Sequence, residues 1–143
     1  MKCYTYINPN EEEKVLIYAK EKTNLIEEIE ALVVTSCVDI TGTLDGEIIK
    51  IDVKSVSCFI SENNKVFALI DDKKYQIKQR LYQIEDMNLA SFIKINQSCL
   101  ANKKKILKFE STIGGSLKVV FKNGYIDYIS RRELKNVKQR MGL

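Results

Sequence analysis

From Val38 onward the apolar residues come only in short runs, the longest being Val66–Ile70, and turn chemistry closes nearly every one of them. Gly42, Asp45-Gly46, Glu62-Asn63-Asn64, Asp71-Asp72, Gly114-Gly115 and Asn123-Gly124 punctuate the stretch. Many short apolar runs at this spacing predict an antiparallel, mostly β domain, because each strand has room for a few residues before the chain must reverse. Asn123-Gly124, set between Val119–Phe121 and Tyr125–Tyr128, predicts a type I′ hairpin, a turn that needs positive φ at both central residues. Two segments break the β texture with helical spacing. The first is Lys78 to Met87, with Leu81 and Ile84. The second is Arg131 to Arg140, with Leu134 and Val137, Ser130 as its N-cap and Glu133 at the capping-box position. The fold class expected is therefore α+β, mostly β with short helices.

The first forty-five residues have a different texture. Lys2 to Ile7 and Val15 to Ala19 read as strands separated by the turn Asn8-Pro9-Asn10. Residues 24 to 34 read as an amphipathic helix, with Thr23 as N-cap and Leu25, Ile29 and Leu32 on one face. A β-β-α segment over 1–45 thus precedes a main domain over 46–143. Such a segment cannot bury its apolar residues by itself, so it is expected to dock on the main domain or to dimerise with a second copy. No apolar run approaches the roughly 20 residues of a membrane helix, and Met1-Lys2-Cys3-Tyr4 opens no signal peptide, which points to a soluble cytoplasmic protein.

Charge is sorted along the chain. Residues 89–143 hold twelve Lys/Arg against three Asp/Glu, whereas residues 1–88 hold eleven against sixteen. A net of +9 in the last third is the footprint of a surface that meets a polyanion. The exclusions are as informative. The chain has no histidine, which removes Ser-His-Asp and Cys-His centres and most catalytic zinc sites. Cys3, Cys37, Cys58 and Cys99 form no C-x-x-C pair and read as small apolar residues within strands. No Gly-rich phosphate loop precedes a helix, and no paired-carboxylate or nucleophile motif stands out. No enzyme, cofactor, metal site or small-molecule substrate is expected.

Within the basic third lie Phe92-Ile93-Lys94-Ile95-Asn96-Gln97-Ser98 and Asn102, then Asn123-Gly124, then Ser130-Arg131-Arg132. Upstream stand Glu47–Ile51, Val56–Glu62, and Tyr75-Gln76-Ile77 leading to Leu81–Glu85. As an ordered set over about residues 46–143, these resemble the LytTR-type DNA-binding domain of bacterial transcription regulators. The resemblance implies a stack of antiparallel β-sheets that reads duplex DNA with loops, entering successive major grooves and often bending the duplex. It implies Val56–Glu62 as a loop after a strand. The positions it marks for DNA contact are Asn63, Asn64 and Lys65; Asn96, Gln97 and Ser98; and Arg132 at the head of the last helix. Of Arg131 and Arg132 one is expected to face DNA, Arg132 being favoured, while the other packs its stem over the sheet or pairs with Glu133. Asn102, Lys103, Lys104 and Lys105 complete the set, the lysines holding phosphates. The chemistry is sound, since Arg can grip guanine bidentately and Asn or Gln can do the same for adenine, at about 1–3 kcal/mol per pair, while lysines on phosphates set position without reading sequence.

Two departures from the family pattern stand out. The family usually places His and Lys before the Ser of the turn, where this chain has Asn96 and Gln97. Family regulators also commonly carry a receiver domain, for which the residues upstream leave no room. The chain resembles instead the short stand-alone members, which implies a small membrane protein as a candidate antagonist, while the homodimer is expected from the apolar N-terminal segment. Structural roles compete with several of these assignments: Asn102 as a turn closed by local backbone bonds, Asn63-Asn64 as an ordinary hairpin tip, and Lys103–Lys105 as a solvated turn. A second functional class stays open as well, an RNA-binding β protein using Tyr75, Phe92, Phe109, Phe121, Tyr125 or Tyr128 for stacking.

Overall fold

A computed structural model describes residues 1–36 and 38–143. Ten strands follow one another as β1 (Thr41–Leu44), β2 (Glu47–Lys50), β3 (Cys58–Glu62), β4 (Lys65–Ile70), β5 (Lys73–Ile77), β6 (Phe92–Asn96), β7 (Cys99–Asn102), β8 (Ile106–Ser111), β9 (Leu117–Phe121) and β10 (Ile126–Tyr128). Helix α1 (Asn24–Ser36) precedes them, α2 (Leu81–Asp86) lies between β5 and β6, and α3 (Arg131–Met141) follows β10. All pairings are antiparallel. The strands form a seven-stranded sheet in the order β2-β1-β5-β4-β3-β7-β6 and a three-stranded sheet in the order β10-β9-β8. The mostly β fold expected from the punctuated apolar runs is the fold observed.

The large sheet is apolar on both faces, which explains why the Val66–Ile70 run is unbroken. Successive side chains of a strand point to opposite faces. On one face Phe59, Val66, Ala68, Tyr75 and Leu100 pack with Ile84 of α2 and with Phe92, whose ring centroid lies 5.2 Å from that of Phe59. On the other, Cys58, Ile60, Leu69, Ile93, Ile95, Cys99 and Ala101 pack against Val119 and Phe121 of the small sheet and Val137 of α3. A fully buried ring such as Phe59 or Phe121 contributes about 2–3 kcal/mol through its burial. β1 is threaded between β2 and β5, so the sheet begins upstream of residue 46. That position is tight: a Cβ on Gly42 would meet Ile51 Cδ1 at 2.6 Å and Tyr75 Cβ at 2.8 Å.

Several sequence expectations change. Residues 1–23 contain no strand, and Tyr4, Tyr6, Ile7, Val15, Leu16 and Tyr18 are exposed. Lys2–Ile7 alternates weakly and Val15–Ala19 is a short apolar run, but neither joins a sheet, and an isolated hairpin is marginal in water. Helix α1 forms, its first carbonyl, that of Thr23, accepting from Glu27 N at 3.2 Å. It buries Ile26 and half-buries Ile29 but leaves Leu25 and Leu32 exposed, so its expected apolar face is only partly covered. Residues 58–62 are a strand, not a loop, because their alternating side chains fill both cores. Ser130 is the N-cap of α3 but makes no side-chain cap bond.

The type I′ turn falls elsewhere than expected. Asn63 (φ 51°) and Asn64 (φ 62°) join β3 to β4 with positive φ at both positions, as do Asp45 and Gly46 between β1 and β2. At Asn123-Gly124 only the glycine is left-handed (φ 89°), with Gly124 N donating to Phe121 O at 3.0 Å. The connection is therefore a longer hairpin loop than the two-residue type. Asn123 is held by its side chain, which donates to Asp71 O at 2.9 Å and accepts from Tyr125 N at 3.0 Å.

Cys58 and Cys99 are buried in strands as expected, Cys3 is exposed outside any strand, and Cys37 lies outside the described residues. Among the described residues no helix is long and apolar enough to cross a membrane.

Candidate nucleic-acid interface

The strand directions place the β3–β4 hairpin tip, the β6–β7 turn and the start of α3 at one end of the large sheet. Backbone bonds tie the three together. Ser61 N donates to Ser98 O at 2.9 Å, joining hairpin to turn, and Ser130 N donates to Ile95 O at 2.8 Å, joining the head of α3 to β6. Arg80, at the N-terminus of α2, reaches the same end and donates through Nη1 to Asn64 O at 3.1 Å. Eight of the residues expected to meet DNA thus gather here: Asn63, Asn64, Lys65, Asn96, Gln97, Ser98, Arg131 and Arg132.

Their availability differs. Gln97, Arg131 and Arg132 are exposed, and their side chains make no hydrogen bond or ion pair among the described residues. Asn63, Asn64, Lys65 and Ser98 are exposed too. Asn96 is half-buried, and both its donors are used: Nδ2 donates to Asp127 Oδ1 at 2.9 Å and to Tyr128 O at 2.8 Å, while Oδ1 accepts from Ser98 N at 2.8 Å. Both N–H donors are taken, so although one lone pair of Oδ1 remains, the amide cannot make the paired donor-and-acceptor grip on adenine.

Asn102 and Lys103–Lys105 lie at the far end of β7. Cys99, Leu100 and Ala101 separate Asn102 from Ser98 of the turn, roughly 13 Å at about 3.3 Å per residue step. Asn102 is 1% exposed; Nδ2 donates to Val56 O at 2.8 Å and Oδ1 accepts from Lys104 N at 3.0 Å. Its amide closes the 3-10 turn Lys103–Lys105 and clasps that turn to the loop before β3, which takes it out of the set available to a base. Of the lysines, Lys104 is exposed and Lys105 half-buried. Lys103 is half-buried, and its pKa is lowered, first by burial and then by Arg140. Lys122 joins this end, its Nζ donating to Lys104 O at 3.0 Å.

Sequence reasoning missed Arg80 and Lys122. Both sit in segments read for their secondary structure, and only the folded pairing brings them beside Asn64 and Lys104. The aromatic residues bear on the alternative class. Of the six candidates for stacking, Tyr75, Phe92 and Phe121 are buried, Phe109 and Tyr125 are half-buried, and Tyr128 alone is exposed. These six provide no stacking platform of the kind that single-stranded RNA uses.

The family model for the LytTr DNA-binding domain matches residues 46–142. An uncharacterized HTH-type transcriptional regulator of Staphylococcus aureus (strain NCTC 8325 / PS 47) is 32% identical over 146 residues, covering 100% of this chain and 99% of the relative. A counterpart from the bovine strain RF122 / ET3-1 is 31% identical over the same length. Among solved structures, a LytTr DNA-binding domain from Bacillus cereus superposes with a TM-score of 0.68 at 16% identity, over 74% of this chain and 99% of that one. In the present fold strands separate the three helices, so among the described residues no two of them form a helix-turn-helix.

Proposed function

The chain belongs to the LytTr DNA-binding domain family, and from that premise we propose that it is a transcription regulator which reads duplex DNA with one end of its seven-stranded sheet. The observation that carries the reading is the contrast in side-chain use at that end. Gln97 and Arg132, the two residue types suited to bidentate recognition of adenine and guanine, are exposed and uncommitted, while the asparagine between strand and turn is consumed inside the protein. Arg132 grips a guanine and Gln97 an adenine. Arg131, Lys65, Ser98 and the Asn63-Asn64 tip contact backbone and groove edge. Lys104 and Lys105, assisted by Lys103, hold phosphates about one major-groove width away, since that groove is roughly 12 Å across.

The N-terminal segment supports homodimerisation on DNA in the cytoplasm. Tyr4, Tyr6, Ile7, Val15, Leu16 and Tyr18, together with Leu25 and Leu32 of α1, are exposed, and a second copy covering them would remove that apolar surface from water. A small membrane protein antagonist is the other occupant for the same surface. Light scattering tests the dimer: the full chain is expected at twice its monomer mass at high micromolar concentration, and at monomer mass once Leu25 and Leu32 are changed to Lys. A monomeric full chain contradicts the dimer.

Competition binding tests the function. A labelled genomic duplex recovered by the protein should be displaced by its own sequence at far lower concentration than by a scrambled duplex or a structured RNA. Equal displacement by RNA would reject the reading.

A further inference from the structure

Asp127 belongs to none of the groups expected to meet DNA, yet it sits at the junction of the two elements that present Gln97 and Arg132. It lies on β10 of the small sheet, while Asn96 ends β6 of the large one. Its carboxylate accepts three bonds: Oδ1 from Asn96 Nδ2 at 2.9 Å and from Tyr128 N at 2.7 Å, and Oδ2 from Tyr125 OH at 3.1 Å. Bonds to an ionised acceptor are stronger and more directional than neutral ones. The network continues into the turn itself, because Asn96 Oδ1 accepts from Ser98 N at 2.8 Å. Gln97 therefore rides on a turn pinned at both of its flanks.

The placement carries an electrostatic cost. Asp127 is one of only three acidic residues in 89–143, and it stands shortly before Arg131 and Arg132 at the end that meets a polyanion, where a negative charge opposes binding.

We infer that Asp127 is a positioning residue for base reading, holding the 96–98 turn through Asn96 so that Gln97 enters the duplex at a fixed spacing from Arg132. The inference rests on the DNA-reading function proposed above. Arg132 does not depend on the same bond, since the head of α3 is held separately by Ser130 N on Ile95 O. Loss of Asp127 should thus loosen one reading position and spare the other.

The test is binding-site selection from random duplexes with the full chain, beside affinity for a fixed random duplex and thermal melts. In Asp127→Ala, the base preference read by the turn should fall by about tenfold. The preference assigned to Arg132 should persist, and affinity for the random duplex should hold or rise because a negative charge is gone. Asp127→Asn should retain both preferences, since its carbonyl still accepts from Asn96 and Tyr128 while its amide donates to the Tyr125 oxygen. Should Asp127→Ala fail to fold, Asn96→Ala deletes that bond from the turn side, together with those to Tyr128 O and from Ser98 N, and is expected to give a one-sided loss at least as large. A folded Asp127→Ala or Asn96→Ala protein with unchanged preference at both positions overturns the inference alone. A wild-type chain that selects no sequence overturns the proposed function, and this inference with it.

Discussion

Asn102 Nδ2 lies 2.8 Å from Val56 O, so a residue expected at the DNA surface instead joins two 3-10 turns inside the protein. The two turns are built alike. Asp52 accepts from Lys54 N at 3.2 Å before Val53–Ser55, as Asn102 accepts from Lys104 N at 3.0 Å before Lys103–Lys105. Asn102→Ala strands the buried Val56 carbonyl and the Lys104 amide, which costs about 1–3 kcal/mol. Chemical denaturation should show that loss, and binding-site selection with the folded fraction should return the wild-type preference. A changed preference at unchanged stability would restore Asn102 to the interface.

Lys103, Lys104 and Lys105 stand apart from the reading turn by the length of β7, and their expected role is uniform. Changing all three to Ala should weaken binding to cognate and random duplexes alike and lower the log–log salt slope by up to about 3, at about 0.9 for each phosphate no longer neutralised. Lys103 should contribute least, because burial and Arg140 already act against its charge. Weakening confined to the cognate duplex would mean that this end reads sequence.

Glu110 supplies a pH dependence of known sign. Lys108 Nζ lies 2.6 Å from one of its oxygens and Lys118 Nζ 2.5 Å from the other, and these bonds, Lys108 first, bring its pKa down to about 2. A folded pKa below the unfolded value means that the stabilisation is complete above the ordinary carboxylate range of about 4.3 and fades as pH falls toward 2. The group is solvated, so the effect is small and screened by salt. Melts of Glu110→Gln should lie slightly below wild type at about pH 6 in low salt and converge with it near pH 2. A gap that widens on acidification contradicts the assignment.

Much of the fold was legible because period-2 alternation and turn chemistry act locally. β4 follows from the apolar run Val66–Ile70, and Asp45-Gly46, Asn63-Asn64 and Asp71-Asp72 fall between strands, whereas β3 was expected as a loop and Gly42, read as a turn signal, lies inside β1. What was not legible depended on partners distant in the chain. The Lys2–Ile7 and Val15–Ala19 patterns are strand-like but find no edge, and Asn123 loses its expected left-handed geometry to a tether on Asp71, fifty-two residues away. The candidate site divides on the same line. Exposure of Gln97 and Arg132 follows from turn and helix-start positions, whereas the capture of Asn96 by Asp127 and of Asn102 by Val56 joins residues 31 and 46 apart in sequence.

The central claim is that one end of the large sheet reads bases, with Arg132 the principal reader. Binding-site selection with wild type and Arg132→Ala, paired with thermal melts of both, tests it most directly. The Arg132→Ala protein is expected to fold normally and to lose preference at one base position, at a cost of about 1–3 kcal/mol on the selected site, with nonspecific affinity nearly intact. Arg132→Lys should recover only part of the preference, because an ammonium cannot reproduce the planar two-pronged grip. An unchanged sequence preference in a folded Arg132→Ala protein would contradict base reading by this residue.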